Sequence, residues 1–577
     1  MLSIISDGFY IFHEYWEIVL AFLITIIGIG FYSTGIVLKR APNLRLRILA
    51  SLGVGSILLG LISFALIVAS RFWGRTLQFG SYGILIFAVF FLIKEIWAGN
   101  FEGIFSFRAF ALAVAMFFLL LARLAFLKHI LLPPYSDSPI HYQVVSGFLH
   151  PEVGSSSKLS IQTLFSDYYH FGFHSLAAWL SSISGIDPAA SISLLGQLFL
   201  VIAPVSMLFL VYALTNNLDG ALFAGFLTAL GWTMPAFAVN WGKFPALASI
   251  ALAPFIMALP VWLKDGLKKT GVLVYALILL AGITFIHTRI IICVFFAYIG
   301  FIVIDRLQIR EEFDFFRSFR FTLLFLLFLW PFFRTLVDFY NSTPVLIVLL
   351  ILIPFAFQAY SAVSTGVLIF LSGLSLSALI PNLLGIGGDT LLDRQFLAMI
   401  LYIPLAFMGG LGFGGLVRKL GRNTIPHRAV VIILIGIFFV GFSPRSYYPD
   451  QCCNYFNKDD GLAFNWIRDN SSSHSLYFIS TFSDGERAYG TDAGVWILSL
   501  TRTPTNKLPF DINWTSPNLF NEICPSEMGE AYIYKGGGIS SFDNETLSRL
   551  EWVAPVFQAG EVIIYKISSC TTNMGKE

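Results

Sequence analysis

The chain has 577 residues, 56% of them hydrophobic and 12% charged, with a net charge of +2 and a mean hydropathy of +0.77. Soluble domains carry roughly 25% charged residues, so a deficit this large excludes a water-soluble globule and makes lipid the solvent. A net charge this close to zero gives no reason to expect a nucleic-acid or other polyanionic partner.

The N-terminal stretch 1–16 lacks a basic region and a small-residue cleavage site, so the first apolar run is expected to remain as a span. Crossing a bilayer takes about 20 apolar residues. Backbone in lipid must satisfy its own hydrogen bonds, so each run should be helical. The runs before the large polar loop are 16–38, 48–70, 79–97 and 110–132. After it come 191–214, 221–239, 244–263, 272–286, 290–304, 321–336, 344–357, 363–380, 396–417 and 429–442. The expected fold class is therefore an α-helical polytopic membrane protein of about fourteen transmembrane helices.

Basic residues set the orientation. Lys39, Arg40, Arg45 and Arg47 fill one loop, and Lys264, Lys268 and Lys269 another. Arg306, Arg310, Arg317 and Arg320 fill a third, and Arg418, Lys419, Arg422 and Arg428 the last. With these spans every cluster falls on one side, the expected cytoplasmic side; Arg71 and Arg75 are exceptions. The protein is thus expected to be multi-pass in the plasma membrane, with its N-terminus, its large loop and its C-terminal tail outside.

The large external loop, 133–190, interrupts the apolar part of the chain. Its residues 171–184 are apolar but short for a span, and read as an amphipathic helix in the outer interface. Within it, Asp137 and His141 are four apart in SDSPIHY, where Pro139 suits the start of a helix, so both can face one way. A carboxylate there can take the proton of an attacking hydroxyl, or Ser136, Asp137 or Ser138 can simply cap the helix. Asp167, His170 and His174 follow in SDYYHFGFH. The histidine spacing occurs in helical metal sites, but without a recognisable third ligand a substrate-facing or interfacial polar pair is the better reading. A divalent metal is thus conceivable but unsupported, and no metal ligand is assigned.

In VNWGKFPAL, Lys243 precedes a span whose first turn holds Pro245. An ammonium at a helix N-terminus suits an anion such as a lipid phosphate; an interfacial lysine can also simply snorkel. Trp241 fits stacking on a sugar ring or membership of an aromatic belt. FIHTRII sets His287 and Arg289 in an outer turn, and LLDRQF puts Asp393 and Arg394 before a span, with Asp389 nearby. Arginine contacts phosphate in bidentate fashion; Asp393 and Arg394 also fit a structural ion pair.

From 443 the composition turns polar, so the chain is expected to divide into a membrane domain, 1–442, and an extracytoplasmic α/β domain, 443–577. A helix is predicted over 459–468 and strands over 476–480, 530–535 and 561–567. Cys452, Cys453, Cys524 and Cys570 fit two disulfides, with the adjacent pair bonded to Cys524 and Cys570 in either order. Cys293 lies inside a span, and Asn470, Asn513 and Asn544 begin N-x-S/T sequons.

The acid in SDSPIHY, the segment YYHFGFHSLAAWLSSISGIDPAAS, VNWGKFPAL, FIHTRI, the DRQF element and a soluble domain after the last span together resemble the GT-C superfamily of polytopic glycosyltransferases. The resemblance covers the chain from about residue 110 onward. It implies transfer of a sugar from a polyprenyl- or dolichyl-phosphate donor to a glycan or protein acceptor at the outer face. Asp137 would be the general base, and Lys243, Arg289 or Arg394 would hold the phosphate. His141, Asp167, His170, His174, Trp241, His287 and Asp393 complete the candidate substrate-binding set. No cofactor is implied beyond the lipid-phosphate sugar itself. Two departures stand out: the loop follows about four spans rather than one, and neither a WWDYG-type motif nor a DxD is present. Two other functions fit this architecture: a lipid-linked-glycan ligase or polymerase, and a transporter of lipid or glycan without chemistry.

Overall fold

The computed structural model describes residues 2–37, 44–73, 77–99, 106–150, 170–262, 269–307, 312–340, 342–383, 392–421, 424–425, 429, 433–434, 436, 444–472, 474–484, 487–516, 519, 523, 530–538 and 541–567. The chain divides into two compact units. The first comprises Met1–Lys128, Val145–Val239 and Phe244–Tyr448; the second, His129–Val144, Asn240–Lys243 and Pro449–Glu577.

The first unit is helical and multi-pass in character. Among the described residues, eight helices are long and apolar enough to cross a membrane: Leu2–Ile36, Leu44–Phe72, Leu77–Trp97, Ala109–His129, Pro188–Thr215, Phe315–Phe339, Ser361–Ile380 and Arg394–Leu420. Leu218–Leu230, Phe244–Leu259, Gly271–Ile286 and Thr343–Ala359 are apolar but shorter. About fourteen spans are thus not shown among the described residues. The run 221–239 is not one helix, because its helix stops at Leu230. Gly231 and a cis Met234–Pro235 bond follow, and then the 3-10 turn Ala236–Val239; proline cannot continue the helical ladder. Most of the run 429–442 lies outside the described residues.

The helix expected over 171–184 forms as Gly172–Ser184, but Gly172 through Ser181 are all buried. A helix buried all round is packed in protein and does not lie on an interface. Phe173 stacks near Phe244, with ring centroids 6.2 Å apart, and a Cβ added at Gly172 would lie 2.9 Å from Ile286 Cα. The expectation failed because the large loop turns inward here, presenting both faces of the segment to other helices.

Burial differs sharply between spans. The apolar windows of Arg394–Leu420 and Pro188–Thr215 are 100% and 94% buried inside the protein, whereas that of Leu77–Trp97 is 11% buried. The glycines of Tyr402–Leu420 allow close backbone approach. A Cβ at Gly220 would come 2.6 Å from Gly410 O, and one at Gly410 2.7 Å from Gly220 O.

The second unit is built on a mixed sheet. Its strands are β1 (Leu476–Asp484), β2 (Arg487–Gly490), β3 (Thr505–Pro509), β4 (Ala531–Lys535), β5 (Val553–Ala559) and β6 (Val562–Ile567). Their order is β2-β1-β4-β6-β5, with β3 also paired to β1. β1 runs parallel to β3 and β4, and the remaining pairs are antiparallel. Side chains alternate across a strand. Tyr477, Ile479, Tyr532, Tyr534, Val562 and Ile564 therefore face the Lys458–Asn470 helix through Ala463, Phe464 and Ile467. Phe478, Ile533 and Ile563 pack on the other face with Trp514 and Phe542. That helix is fixed at its start by a capping box between Asn457 and Asp460. Cys452 and Cys453 are bonded to each other, which corrects the expected pairing with Cys524 and Cys570; the latter two lie outside the described residues. Adjacency brings the two thiols together with no loop to close. Asn470, Asn513 and Asn544 are all exposed.

Candidate functional site

Most of the predicted site residues fall into two groups, one in each unit. In the second unit the Ser138–Leu149 helix begins directly after Asp137, whose carbonyl accepts from the N–H groups of Ile140 (3.1 Å) and His141 (3.3 Å). Among the described residues no helix N–H donates to the Asp137 side chain. Its Oδ2 accepts from Lys243 Nζ at 2.5 Å. One turn on, His141 Nε2 donates to Gly242 O at 3.0 Å. The i, i+4 spacing thus aims both side chains at one turn, Asn240–Lys243, which Trp241 shares.

That turn is held on several sides. Gly242 has φ 61, the left-handed region that glycine enters without penalty. A Cβ there would meet Ser138 Oγ at 2.7 Å and Pro134 O at 2.9 Å. Asn240 Oδ1 accepts from Asp450 N at 2.8 Å, and Tyr135 N donates to Cys453 O at 2.9 Å. Tyr135 has φ 70, costly for an aromatic residue, and its ring lies 6.1 Å from that of Tyr455 and 6.4 Å from that of Tyr489. Burial, then Tyr135, Asp492 and Asp137, push the Tyr455 hydroxyl well above its ordinary value, so it stays a neutral donor beside the acids.

His141 is buried, and burial pushes it down to about 4, against the opposing charge of Asp137. At neutral pH it is an uncharged ring holding the turn. The Asp137–Lys243 pair is 27% and 21% exposed, open enough for a ligand to compete for either partner.

The first unit holds the second group. His287 and Arg289 occupy the turn between the helices Lys269–Ile286 and Ile290–Leu307. Asp393 caps the helix Arg394–Ile400, accepting from Phe396 N at 2.7 Å through Oδ1, while its Oδ2 takes Arg289 Nη1. The ion pair of Asp393 is therefore with Arg289; Arg394, the neighbour expected to fill that role, is exposed. His287 stacks on Phe396 at 5.3 Å and lies 4.3 Å from the ring of His170. His174 is fully buried and its Nδ1 donates to His170 O at 3.2 Å. Asp167 and Asp389 lie outside the described residues. Among the described residues, no group of three or more His, Cys, Asp or Glu is placed to hold a metal ion.

The residues missed by sequence reading are Tyr135, Asn240, Gly242 and Tyr455. Only Gly242 carried a signal, since a glycine between Trp241 and Lys243 marks a tight turn. The others depend on contacts over hundreds of residues.

Residues 48–446 match DUF6541, described as a family of unknown function, and the chain belongs to that family. No curated protein matches it. Among solved structures it has a distant likeness to the cryo-EM structure of arabinofuranosyltransferase AftD from Mycobacteria. The identity is 12% over 69% of this chain and 35% of that one, with a TM-score of 0.35. A mutant of the same enzyme gives 10% identity over 68% and 36%, also at 0.35. The chain thus spans about a third of the length of those enzymes, and scores this low do not assign a shared activity.

Proposed function

We propose that this protein is a membrane glycosyltransferase of GT-C type. It would transfer a sugar from a polyprenyl-phosphate donor to an acceptor at the outer face, with Asp137 as general base. The observation that carries this reading is the 2.5 Å contact between Asp137 and Lys243, two residues from distant parts of the sequence. In the resting protein they satisfy each other. A donor phosphate takes the ammonium, and the acceptor hydroxyl then faces a released carboxylate. The hydroxyl oxygen bonds to the anomeric carbon, its proton passes to Asp137, and the bond to the phosphate oxygen breaks. The phosphate leaves as an anion neutralised by Lys243. Such a single displacement inverts the anomeric centre.

Arg289 already shares its charge with Asp393, so in this reading Lys243 is the cation that meets the phosphate. His141, neutral and buried, positions the turn that carries Lys243. The orientation, outside for loop and tail, rests on the distribution of basic residues.

The test is Asp137→Asn, assayed in membranes supplied with polyprenyl-phosphate sugars. Losing a positioned base is expected to cost roughly a hundredfold to ten-thousandfold in turnover. Normal turnover would remove Asp137 as the base.

A further inference from the structure

Cys452 and Cys453, adjacent residues of the second unit, form a disulfide with each other. The stabilisation a disulfide gives grows with the length of chain it closes. This one closes no loop, so it does little as a staple. Its effect is local: the ring it forms with the Cys452–Cys453 peptide restricts the rotations on either side of that peptide. The turn so restricted is tied to the Asp137–Lys243 pair from two directions. Asp450 O accepts from Cys453 N at 3.1 Å, and Asp450 Oδ1 accepts from Cys452 N at 3.1 Å. The N–H of the same Asp450 donates to Asn240 Oδ1, in the turn that carries Lys243. Cys453 O accepts from Tyr135 N, two residues before Asp137. Tyr135 has a left-handed φ of 70, which an aromatic residue keeps only where its surroundings over-determine it. The Cys453 carbonyl is one of those constraints. The two sulfurs also differ in access: Cys452 is exposed and Cys453 is buried.

We propose that Cys452–Cys453 is a redox switch that sets how firmly Asp137 and Lys243 are held together. It acts on that pair whatever reaction the pair serves. The reductant is a dithiol. One of its thiolates attacks the exposed Cys452 sulfur, a mixed disulfide forms, and the Cys453 sulfur leaves and takes up a proton. The second thiolate of the reductant then attacks the first sulfur, and Cys452 leaves and is protonated. Two electrons and two protons pass to the protein, and the reductant becomes a disulfide. In the oxidised form the 450–454 turn is fixed and holds Tyr135. In the dithiol form that turn gains rotational freedom, Tyr135 relaxes from its positive φ, and Asp137 loses its alignment with Lys243.

The experiment compares the full chain in lipid nanodiscs, oxidised and after dithiothreitol, by hydrogen exchange read peptide by peptide in a mass spectrometer. Non-reducing peptide mapping is expected to find Cys452 bonded to Cys453, and dithiothreitol to convert both to alkylatable thiols. Exchange in segments 133–137 and 240–243 should then accelerate about tenfold and slow again on reoxidation. The double variant Cys452→Ser, Cys453→Ser should exchange like the reduced protein and ignore dithiothreitol. The reduction of the wild type decides the matter by itself where that variant does not fold. Five results would each overturn the proposal: either cysteine mapped to Cys524 or Cys570, a bond that resists dithiothreitol, exchange unchanged on reduction, acceleration spread over the whole second unit, or a double variant that still responds.

Discussion

The two carboxylate–cation pairs look alike and are built differently. Asp393 spends one oxygen on a helix cap and the other on Arg289. Asp137 spends one oxygen on Lys243, and its other oxygen has no bonding partner among the described residues. A carboxylate tied at both oxygens is part of the frame; one tied at a single oxygen, by a flexible lysine, retains the capacity to accept a proton. Pairing alone therefore does not mark a reactive acid.

That contrast can be broken experimentally. The largest effect should come from Lys243→Ala, which in the proposed reaction removes the cation that meets the phosphate. The KM for a polyprenyl-phosphate sugar is expected to rise roughly a hundredfold, whereas Arg289→Ala should raise it about tenfold or less, because Asp393 already shares that charge. Equal effects would erase the distinction between the pairs.

His141 gives the next effect. Its folded value of about 4 lies below the usual 6.5, so the unfolded chain binds a proton between these limits that the folded chain does not. Stability from this residue is therefore full above pH 6.5 and lost as the pH falls toward 4, by up to about 3 kcal/mol. Buried Asp492, pushed up by burial to about 6, titrates the opposite way and loses stability as the pH rises through its window. The measurement is thus a difference: thermal unfolding of wild type against His141→Gln across pH 4 to 7. The wild type should lose more stability on acidification.

Gly242→Ala should cost about 2 kcal/mol, from the positive φ and from the contacts its Cβ would make with Ser138 and Pro134. A raised donor KM should accompany the lower melting temperature, because the same turn carries Lys243. Smallest is Asp393→Ala, expected to cost about 1 kcal/mol in thermal unfolding, mainly through the lost cap. Should it abolish turnover while the fold persists, Asp393 would be more than frame.

Hydropathy made most of the helical unit legible, since a window of apolar residues reports the solvent directly. It could not report that 221–239 breaks at Leu230, because Gly231 and Pro235 interrupt the backbone without lowering the mean hydropathy. Nor could it tell a helix buried in protein from one lying in an interface, as Gly172–Ser184 proves, since both are apolar. In the second unit the alternation in 476–480 and 561–567 exposed the strands. For the candidate site, the four-residue step from Asp137 to His141 predicted a shared direction, and the helix delivered it. The partner at Lys243 was visible only as one cation among several. Nothing local foretold that Asp393 would choose Arg289 over its neighbour Arg394, because that choice depends on where two remote helices begin.

The uneven burial of the spans carries a consequence for handling the protein. Pro188–Thr215 and Arg394–Leu420 meet almost no surrounding amphiphile, whereas Leu77–Trp97 meets it along most of its length. Exchanging native lipid for detergent therefore perturbs the rim before the axle. Deuterium uptake after extraction should be slowest along the two enclosed helices and fastest along the peripheral one, and a micelle that frays the edge can leave the middle of the bundle intact.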